Sequence, residues 1–133
     1  MSQASLEIMK TAQQALETFS HGLATGEWNF FLDMLSDDFS FWFPVGPFQG
    51  WNYGKLRASD FFHSVSQVFS EGLVISVERC SSNANTVVFE IRSTGTMAGN
   101  PYQNQAAISF DIRGNQVCGY REYLGVLFQL PSS

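Results

Sequence analysis

Apolar residues in the first part of the chain recur at the spacing of amphipathic helices. Over residues 5–23 they fall every three or four positions, so they share one face of a helix that is predicted to end near Gly26. A shorter second helix is predicted over residues 27–35. Ser59 is a suitable N-cap for a third amphipathic helix, which is predicted to end near Gly72.

Elsewhere the pattern is that of strands. The run DFSFWFPVG at 38–46 is rich in aromatic rings and leads into a Pro- and Gly-rich loop over residues 44–50. Asp37 and Asp38 are predicted to cap the turn that precedes this strand. In the second half of the chain, segments rich in Val, Ile, Phe and Thr are separated by turn-forming residues and are predicted as strands at 73–80, 86–97, 103–113 and 116–128.

The order of these elements predicts an α+β fold. Three N-terminal helices are followed by consecutive strands joined by short turns, which favours a strongly curved antiparallel sheet with the helices packed on it. A chain of 133 residues can bury a sufficient core without a metal or disulfide bond. We therefore expect a single domain over residues 1–133.

Charge and composition narrow the class of function. The net charge of -5, with few and scattered Lys and Arg residues, argues against nucleic acid as a partner. Cys80 and Cys118 are far apart, and the acids, cysteines and two histidines show no ligand spacing, so we expect no metal and no cofactor. No segment has the length and hydropathy of a signal peptide or a membrane span, so a cytoplasmic location without membrane attachment is expected.

Two long motifs resemble one family. The stretch GLATGEWNFFLDMLSDDFSFWFP at 22–44 resembles the opening of SnoaL-like and ketosteroid-isomerase-like proteins of the nuclear transport factor 2-like superfamily. The stretch GNPYQNQAAISFDIRGNQVCGYREYLG at 99–125 resembles their closing pair of strands. The resemblance implies a cone-shaped, cystatin-like α+β barrel with a largely apolar cavity open at one end, and a homodimer formed through the outer face of the sheet. Members of this fold include enzymes and non-catalytic domains, so the fold leaves the function open.

The polar groups of the isomerase branch are replaced in this chain. The resemblance places the family's catalytic aspartate at Phe43, its oxyanion-donating tyrosine at Phe19, and the assisting carboxylic acid near Ile108 or Ala107. A phenyl or alkyl side chain neither donates nor accepts a proton, so isomerase activity by that route is not expected. An aspartate that often follows the Arg-Glu-Tyr run is replaced by Gly125.

Strand alternation then indicates which side chains face the cavity. If Phe43 points inward, so do Phe41 and Phe39, while Trp42 points outward. With Tyr120 placed inward by resemblance, Glu122 follows. Trp51 and Tyr53 would lie at the cavity mouth or cover the core. The predicted ligand-binding residues are Phe19, Phe41, Phe43, Trp51, Tyr53, Phe62, Tyr102, Asn104, Ile108 and Tyr120.

Glu122 is the candidate catalytic residue. A carboxyl group beside Tyr120 on an apolar wall would have a raised pKa, which suits general acid or base catalysis. Alternatively, Glu122 pairs with Arg92 or Arg121 at the rim or the dimer face. His21 and His63 are predicted to lie off the apolar faces of their helices, in surface or capping roles.

Three functions remain open at this stage. The first is binding of a small apolar or aromatic molecule in the cavity, oriented by a few polar groups. The second is a SnoaL-like lyase, isomerase or cyclase that uses Glu122 as its acid or base. The third is a non-catalytic dimerisation or assembly domain whose cavity is filled by its own rings.

Overall fold

The computed structural model describes residues 3–126, which form three helices and one six-stranded sheet. The helices are α1 (Leu6–Thr25), α2 (Asn29–Leu32) and α3 (Lys55–Val68). The strands are β1 (Leu35–Phe43), β2 (Gly50–Tyr53), β3 (Leu73–Ser82), β4 (Thr86–Met97), β5 (Asn100–Arg113) and β6 (Gln116–Leu124). The last residues of the predicted strand 116–128 lie outside the described part of the chain.

Helix α1 has the ends that the sequence predicts. The Ser5 side chain accepts a hydrogen bond from the Ile8 N–H at 3.2 Å and so caps the N-terminus. Gly26 ends the helix in the left-handed conformation, with φ at 81°, and donates its N–H to the Gly22 carbonyl at 2.8 Å. The apolar stripe of the helix, which includes Phe19, packs into the core.

The sheet is open, and one of its strand pairs is parallel. The strand order is β2-β1-β6-β5-β4-β3, so β2 and β3 form the two edges. Four neighbouring pairs are antiparallel, as expected, but β1 runs parallel to β6. Turn residues in a sequence reveal hairpins between consecutive strands, whereas the β1–β6 pair joins distant segments. The sequence therefore predicted the α+β class but not this mixed arrangement.

Irregularities in the register accompany the bend of the sheet. The pairing shifts between Val77 and Arg79 on β3, between Asp111 and Ile112 on β5, and within the β1–β6 pair. Bulges of this kind increase the local twist and bend the strand that carries them. They help the sheet curve around the helices.

The segment after β1 differs from its prediction. Residues 50–53 form β2, which pairs with β1 so that Trp42 lies opposite Trp51, whereas the sequence indicated a loop and a cavity mouth. Helix α3 then begins at Lys55, directly after Gly54, and not at Ser59. Gly54 has φ at 92°, a conformation that favours glycine and allows the abrupt change from strand to helix.

The acidic pair also has a different place from the predicted one. Asp37 and Asp38 lie within β1 and are exposed, so they do not cap a turn. Asp38 accepts hydrogen bonds from Arg113 at 2.5 Å and from Ser36 at 2.7 Å. The Arg113 hydrogen bond, together with that from Ser36, lowers the pKa of Asp38 to about 2. The Asp38–Arg113 ion pair links β1 to the last residue of β5.

The core is a continuous cluster of aromatic rings between the helices and the inner face of the sheet. Phe19 lies at its centre, with its ring centroid 5.6 Å from that of Phe31 and 6.1 Å from that of Phe62 in edge-to-face geometry. Trp28 is fully buried, and its indole N–H donates to the Ser66 hydroxyl at 2.8 Å. These rings form the closed end of the cone.

Candidate ligand cavity

A cavity of about 380 Å³ lies between helix α3, the end of α1 and the inner face of the sheet. Its walls are mostly apolar. The side chains that form them include Phe19, Leu23, Phe43, Phe48, Phe61, Phe62, Val65, Phe69, Leu73, Ile75, Ile91, Ala106, Tyr120 and Leu124. A space of this size with such walls can hold a small organic molecule.

The cavity has a buried end and an exposed rim. Phe19, Phe62 and Tyr120 are buried and form the deep wall. Exposed lining residues mark the rim, and these are Gly46, Pro47, Val68, Met97 and Val126. The rim therefore joins the loop after β1, the end of α3, the β4–β5 turn and the segment after β6.

The loop at the rim is held by Arg57. The Arg57 Nε donates to the Asn52 Oδ1 at 2.9 Å, and the Asn52 amide donates to the Phe48 carbonyl at 2.8 Å. The Arg57 guanidinium carbon lies 4.1 Å from the centroid of the Phe48 ring, which is a cation–π contact. The Phe48 ring therefore lies between the Arg57 guanidinium and the cavity, which it lines.

Tyr120 and Glu122 form a hydrogen-bonded pair on the cavity wall. Both lie on β6 and line the cavity, and the Tyr120 hydroxyl donates to the Glu122 Oε1. Burial raises the pKa of Glu122 from its usual 4.5 to about 7, although the Tyr120 hydrogen bond opposes this shift. Burial, reinforced by the neighbouring carboxyl group, raises the pKa of Tyr120 well above its usual value. At neutral pH the pair can thus either accept or release a proton at Glu122.

The two arginines predicted as alternative partners of Glu122 pair with other acids. Arg92 pairs with Glu78 at 2.9 Å, and Arg121 pairs with Asp111 at 3.1 Å. Both ion pairs are away from the cavity lining. Within residues 3–126, Tyr120 is the hydrogen-bond partner of the Glu122 side chain.

Asn104 lines the cavity, and its side-chain amide makes hydrogen bonds at the cavity rim. Its Oδ1 accepts from the N–H groups of Gln105 at 2.8 Å and Val126 at 3.2 Å, and its Nδ2 donates to the Tyr102 hydroxyl at 2.9 Å and the Val126 carbonyl at 3.4 Å. These contacts occupy both ends of the amide. The Tyr102 ring packs edge-on against Phe69 at 4.9 Å, so the same network reaches α3.

The structure brings most of the predicted binding residues to the cavity. Lining positions are held by Phe19, Phe43, Phe62, Tyr102, Asn104, Tyr120 and Glu122. Phe41 and Ile108 face inward as expected but are fully buried in the core behind the wall. Trp51 and Tyr53 lie on the edge strand β2, exposed and away from the cavity, because residues 50–53 pair with β1.

Several lining residues were not assigned to the site from the sequence. Val65 on α3 and Phe69, the C-cap residue of that helix, follow Phe62 at i+3 and i+7, and this helical spacing could have identified them. Ile91 and Ser93 come from β4 and alternate with outward-facing residues. The alternation alone does not show that β4 reaches the cavity.

The described part of the chain contains two histidines, but no metal-binding cluster and no membrane-spanning helix. His21 and His63 are exposed, and the His63 Nδ1 lies 2.8 Å from the Ser59 carbonyl oxygen. Residues 3–126 contain no cluster of three His, Cys, Asp or Glu side chains that could hold a metal ion. No helix in that range has the length and apolar character needed to cross a membrane.

Comparison with known proteins identifies the fold and a matching family. A family model described as a SnoaL-like domain matches residues 16–120. No curated protein matches the chain. Among solved structures, an NTF2-like protein from Anabaena variabilis ATCC 29413 is 53% identical over 95% of both chains, with a TM-score of 0.90.

More distant structures share the architecture. A protein of unknown function with a cystatin-like fold from Xanthomonas campestris is 14% identical, covers 91% of this chain and 92% of its own, and has a TM-score of 0.76. A protein with a ketosteroid isomerase-like fold from Catenulispora acidiphila DSM 44928, solved in complex with trimethylamine, is 12% identical over 83% of this chain and 84% of its own, with a TM-score of 0.71. At these identities the likeness is one of fold.

Proposed function

The chain belongs to the SnoaL-like family, and we propose that it binds a small apolar or aromatic molecule in the cavity of its cone. The observation that carries this proposal is the cavity of about 380 Å³ with predominantly apolar walls. Ligand sites commonly combine such walls with a few polar groups that orient the ligand. Tyr102, Tyr120 and Glu122 can supply that orientation.

A cavity-filling substitution tests this proposal. Ala106 lines the cavity on β5, so Ala106→Phe would place a ring in the space that the ligand needs. Thr94→Phe adds a ring on the opposite, exposed face of the sheet and is the matched control. Binding of 2-naphthol and 2-phenylethanol, measured by isothermal titration calorimetry, should be lost in Ala106→Phe and retained in Thr94→Phe. Equal binding by the two variants would contradict a site in the cavity.

A second candidate is an enzyme of SnoaL-like type in which Glu122 is the acid or base. The specific observation is a cavity-facing carboxyl group whose pKa is raised to about 7 by burial, close to the pH at which it would work. Its register partner on β5 is Ile108, one of the two positions that the resemblance assigns to the assisting acid. A carboxyl group is therefore available close to that position from the adjacent strand. Phe19 and Phe43 supply no proton-transfer group, so the reaction would differ from that of the isomerase branch.

Glu122→Gln separates catalysis from binding. The amide keeps the shape of the side chain and a hydrogen-bonding oxygen but cannot take up or release a proton at neutral pH. For an uncharged substrate, the enzyme candidate predicts lost turnover with affinity retained within about threefold. An equal loss of both would indicate that Glu122 only supports the cavity wall.

We also propose a homodimer formed through the outer face of the sheet. The exposed Tyr123 ring on β6 lies 5.3 Å from the Trp42 ring on β1, and this pair is the aromatic centre of that face. The Arg79–Glu90 and Arg92–Glu78 ion pairs join β3 and β4, which are separated from β6 by β5. Aromatic residues surrounded by both signs of charge suit contact with a second copy of the same surface.

The third function, an assembly domain with a self-filled cone, receives no support from the open cavity.

A further inference from the structure

The charges around the cavity are unbalanced. Glu122 is the one charged side chain among the described lining residues. The lining residues contributed by α1, α3, β3, β4 and the loop after β1 are uncharged, and the remaining titratable groups are Tyr102 on β5 and Tyr120 on β6. The cavity therefore offers a carboxylate and, within residues 3–126, no lysine, arginine or histidine to neutralise it.

An isolated carboxylate on an apolar wall is costly. Removing a charge from water is unfavourable unless hydrogen bonds or an opposite charge compensate. Tyr120 donates to one carboxylate oxygen, and a carboxylate can accept several hydrogen bonds in all. Capacity for a further donor thus remains on the side that faces the cavity.

The aromatic walls favour the same kind of partner. Phe43, Phe61 and Phe62 line the cavity, and the faces of such rings attract cations. The wall already contains one contact of this kind, since the Arg57 guanidinium lies over the Phe48 ring. An ammonium group inside would meet both the rings and the carboxylate.

We propose that the ligand is an apolar ammonium ion, whose nitrogen pairs with the Glu122 carboxylate while its hydrocarbon part fills the Phe-rich cavity. This inference rests on the proposed function and specifies its ligand class. An anionic ligand would meet Glu122 without a compensating cation, in a chain of net charge -5. A neutral ligand would leave the carboxylate without a compensating positive charge.

Three probes with one phenylethyl framework test the ligand class. They are 2-phenylethylamine, 2-phenylethanol and phenylacetate, which carry a cation, a neutral hydroxyl and an anion at the same end. Calorimetry on the full chain at neutral pH should give the amine an affinity at least about tenfold above that of the alcohol, with phenylacetate the weakest. Equal affinities for amine and alcohol, or a preference for phenylacetate, would overturn the inference.

Substitution and pH identify the group responsible. Glu122→Gln should abolish the preference for the amine over the alcohol, whereas Glu71→Gln, the same change at an exposed position, should leave the preference intact. Because burial raises the pKa of Glu122 to about 7, amine affinity should fall below that pH, by about tenfold per unit well below it, while alcohol affinity stays level. A preference that survives Glu122→Gln would also overturn the inference.

The outcomes keep the two proposals apart. Alcohol binding that Ala106→Phe abolishes, without any preference for the amine, would leave the ligand-binding function in place and reject the ammonium ligand. Absence of binding by all three probes would count against both.

Discussion

Asn104 holds the backbone of Val126 through both ends of its side-chain amide. The Oδ1 accepts from the Val126 N–H at 3.2 Å, and the Nδ2 donates to the Val126 carbonyl at 3.4 Å. The Asn104 side chain thus makes the pair of hydrogen bonds with Val126 that the backbone of a neighbouring strand would otherwise make. Val126 lines the cavity rim, so this contact sets where the chain passes after β6.

Asn104→Ala is therefore expected to destabilise the fold. Loss of the buried amide leaves backbone groups of Gln105 and Val126 without partners, at a cost of about 1 to 3 kcal/mol. The control is Gln103→Ala, an exposed position on the same strand, which should change the free energy of unfolding by less than about 0.5 kcal/mol. Urea denaturation measures both. Equal stability of the two variants would show that the Asn104 contacts contribute little.

Gly22→Ala tests the packing of α1 on Trp28. Replacing glycine by alanine inside a helix normally stabilises by about 0.5 to 1 kcal/mol. Here a Cβ on residue 22 would lie 2.4 Å from the Cε3 of Trp28, whose ring is fully buried and tied to Ser66. We expect a loss of about 1 to 3 kcal/mol in place of the gain.

The reverse change at an exposed position of the same helix is the control. Ala24→Gly, near the end of the helix, should cost no more than about 1 kcal/mol from helix propensity alone. Thermal or urea unfolding of both variants gives the comparison. A Gly22→Ala variant more stable than the parent would mean that Trp28 can move aside.

Much of the fold followed from local patterns in the sequence. Alternation placed Phe39 and Phe41 on the buried face of β1 and Trp42 on the other, and the structure has them there. The β3–β4–β5–β6 meander followed from turn residues, because hairpins join segments that are adjacent in the chain. The parallel β1–β6 pair did not, since it joins segments about eighty residues apart in register.

The sequence predicted which face of the sheet the site residues point to. It did not predict which of them reach the cavity and which are buried behind its wall. Phe41 and Phe43 share one face of β1, and the Phe61 ring lies 4.8 Å from both of their rings. Phe43 lines the cavity, whereas Phe41 also packs against Phe39 and Phe62 and is fully buried. A period of two assigns residues to a side of the sheet and says nothing of what packs on it. For the same reason the alternation assigned Asn104 to the cavity wall but did not show what its side chain contacts. The hydrogen-bond partner of Asn104 is Val126, which follows β6. No local sequence pattern predicts that this segment lies next to Asn104.

Tyr123→Lys tests the proposed dimer. The parent should have twice the mass of one chain by light scattering at micromolar concentration. A lysine in place of the Tyr123 ring would remove the stacking on Trp42 and place like charges opposite each other across a two-fold axis, so the mass should halve. Phe30→Lys is the control, because Phe30 is also an exposed aromatic residue but lies on helix α2 and not on the sheet. A parent protein that is monomeric, or a Tyr123→Lys variant that remains dimeric, would exclude this interface.

The pH dependence of stability provides a separate measure of the burial of Glu122. Burial raises its folded-state pKa from 4.5 to about 7, so the folded protein retains a proton that the unfolded chain has already released. Below about pH 4.5 Glu122 is neutral in both the folded and the unfolded protein, so its burial does not lower the free energy of unfolding. As the pH rises from about 4.5 to 7 its contribution becomes increasingly destabilising, and above about pH 7 it is constant.

Glu122→Gln removes this contribution because its amide does not titrate. The free energy of unfolding of Glu122→Gln, relative to that of the parent, should therefore rise by about 1 to 3 kcal/mol between about pH 4.5 and pH 7. Outside this pH range the difference should be constant. Urea denaturation at several pH values measures the difference, which also cancels the titration of all other groups. Glu71→Gln, at an exposed position, should give a flat difference. A flat difference for Glu122→Gln as well would mean that water reaches the carboxyl group freely, and the cavity wall would then lack the buried acid on which both the catalytic candidate and the ammonium ligand depend.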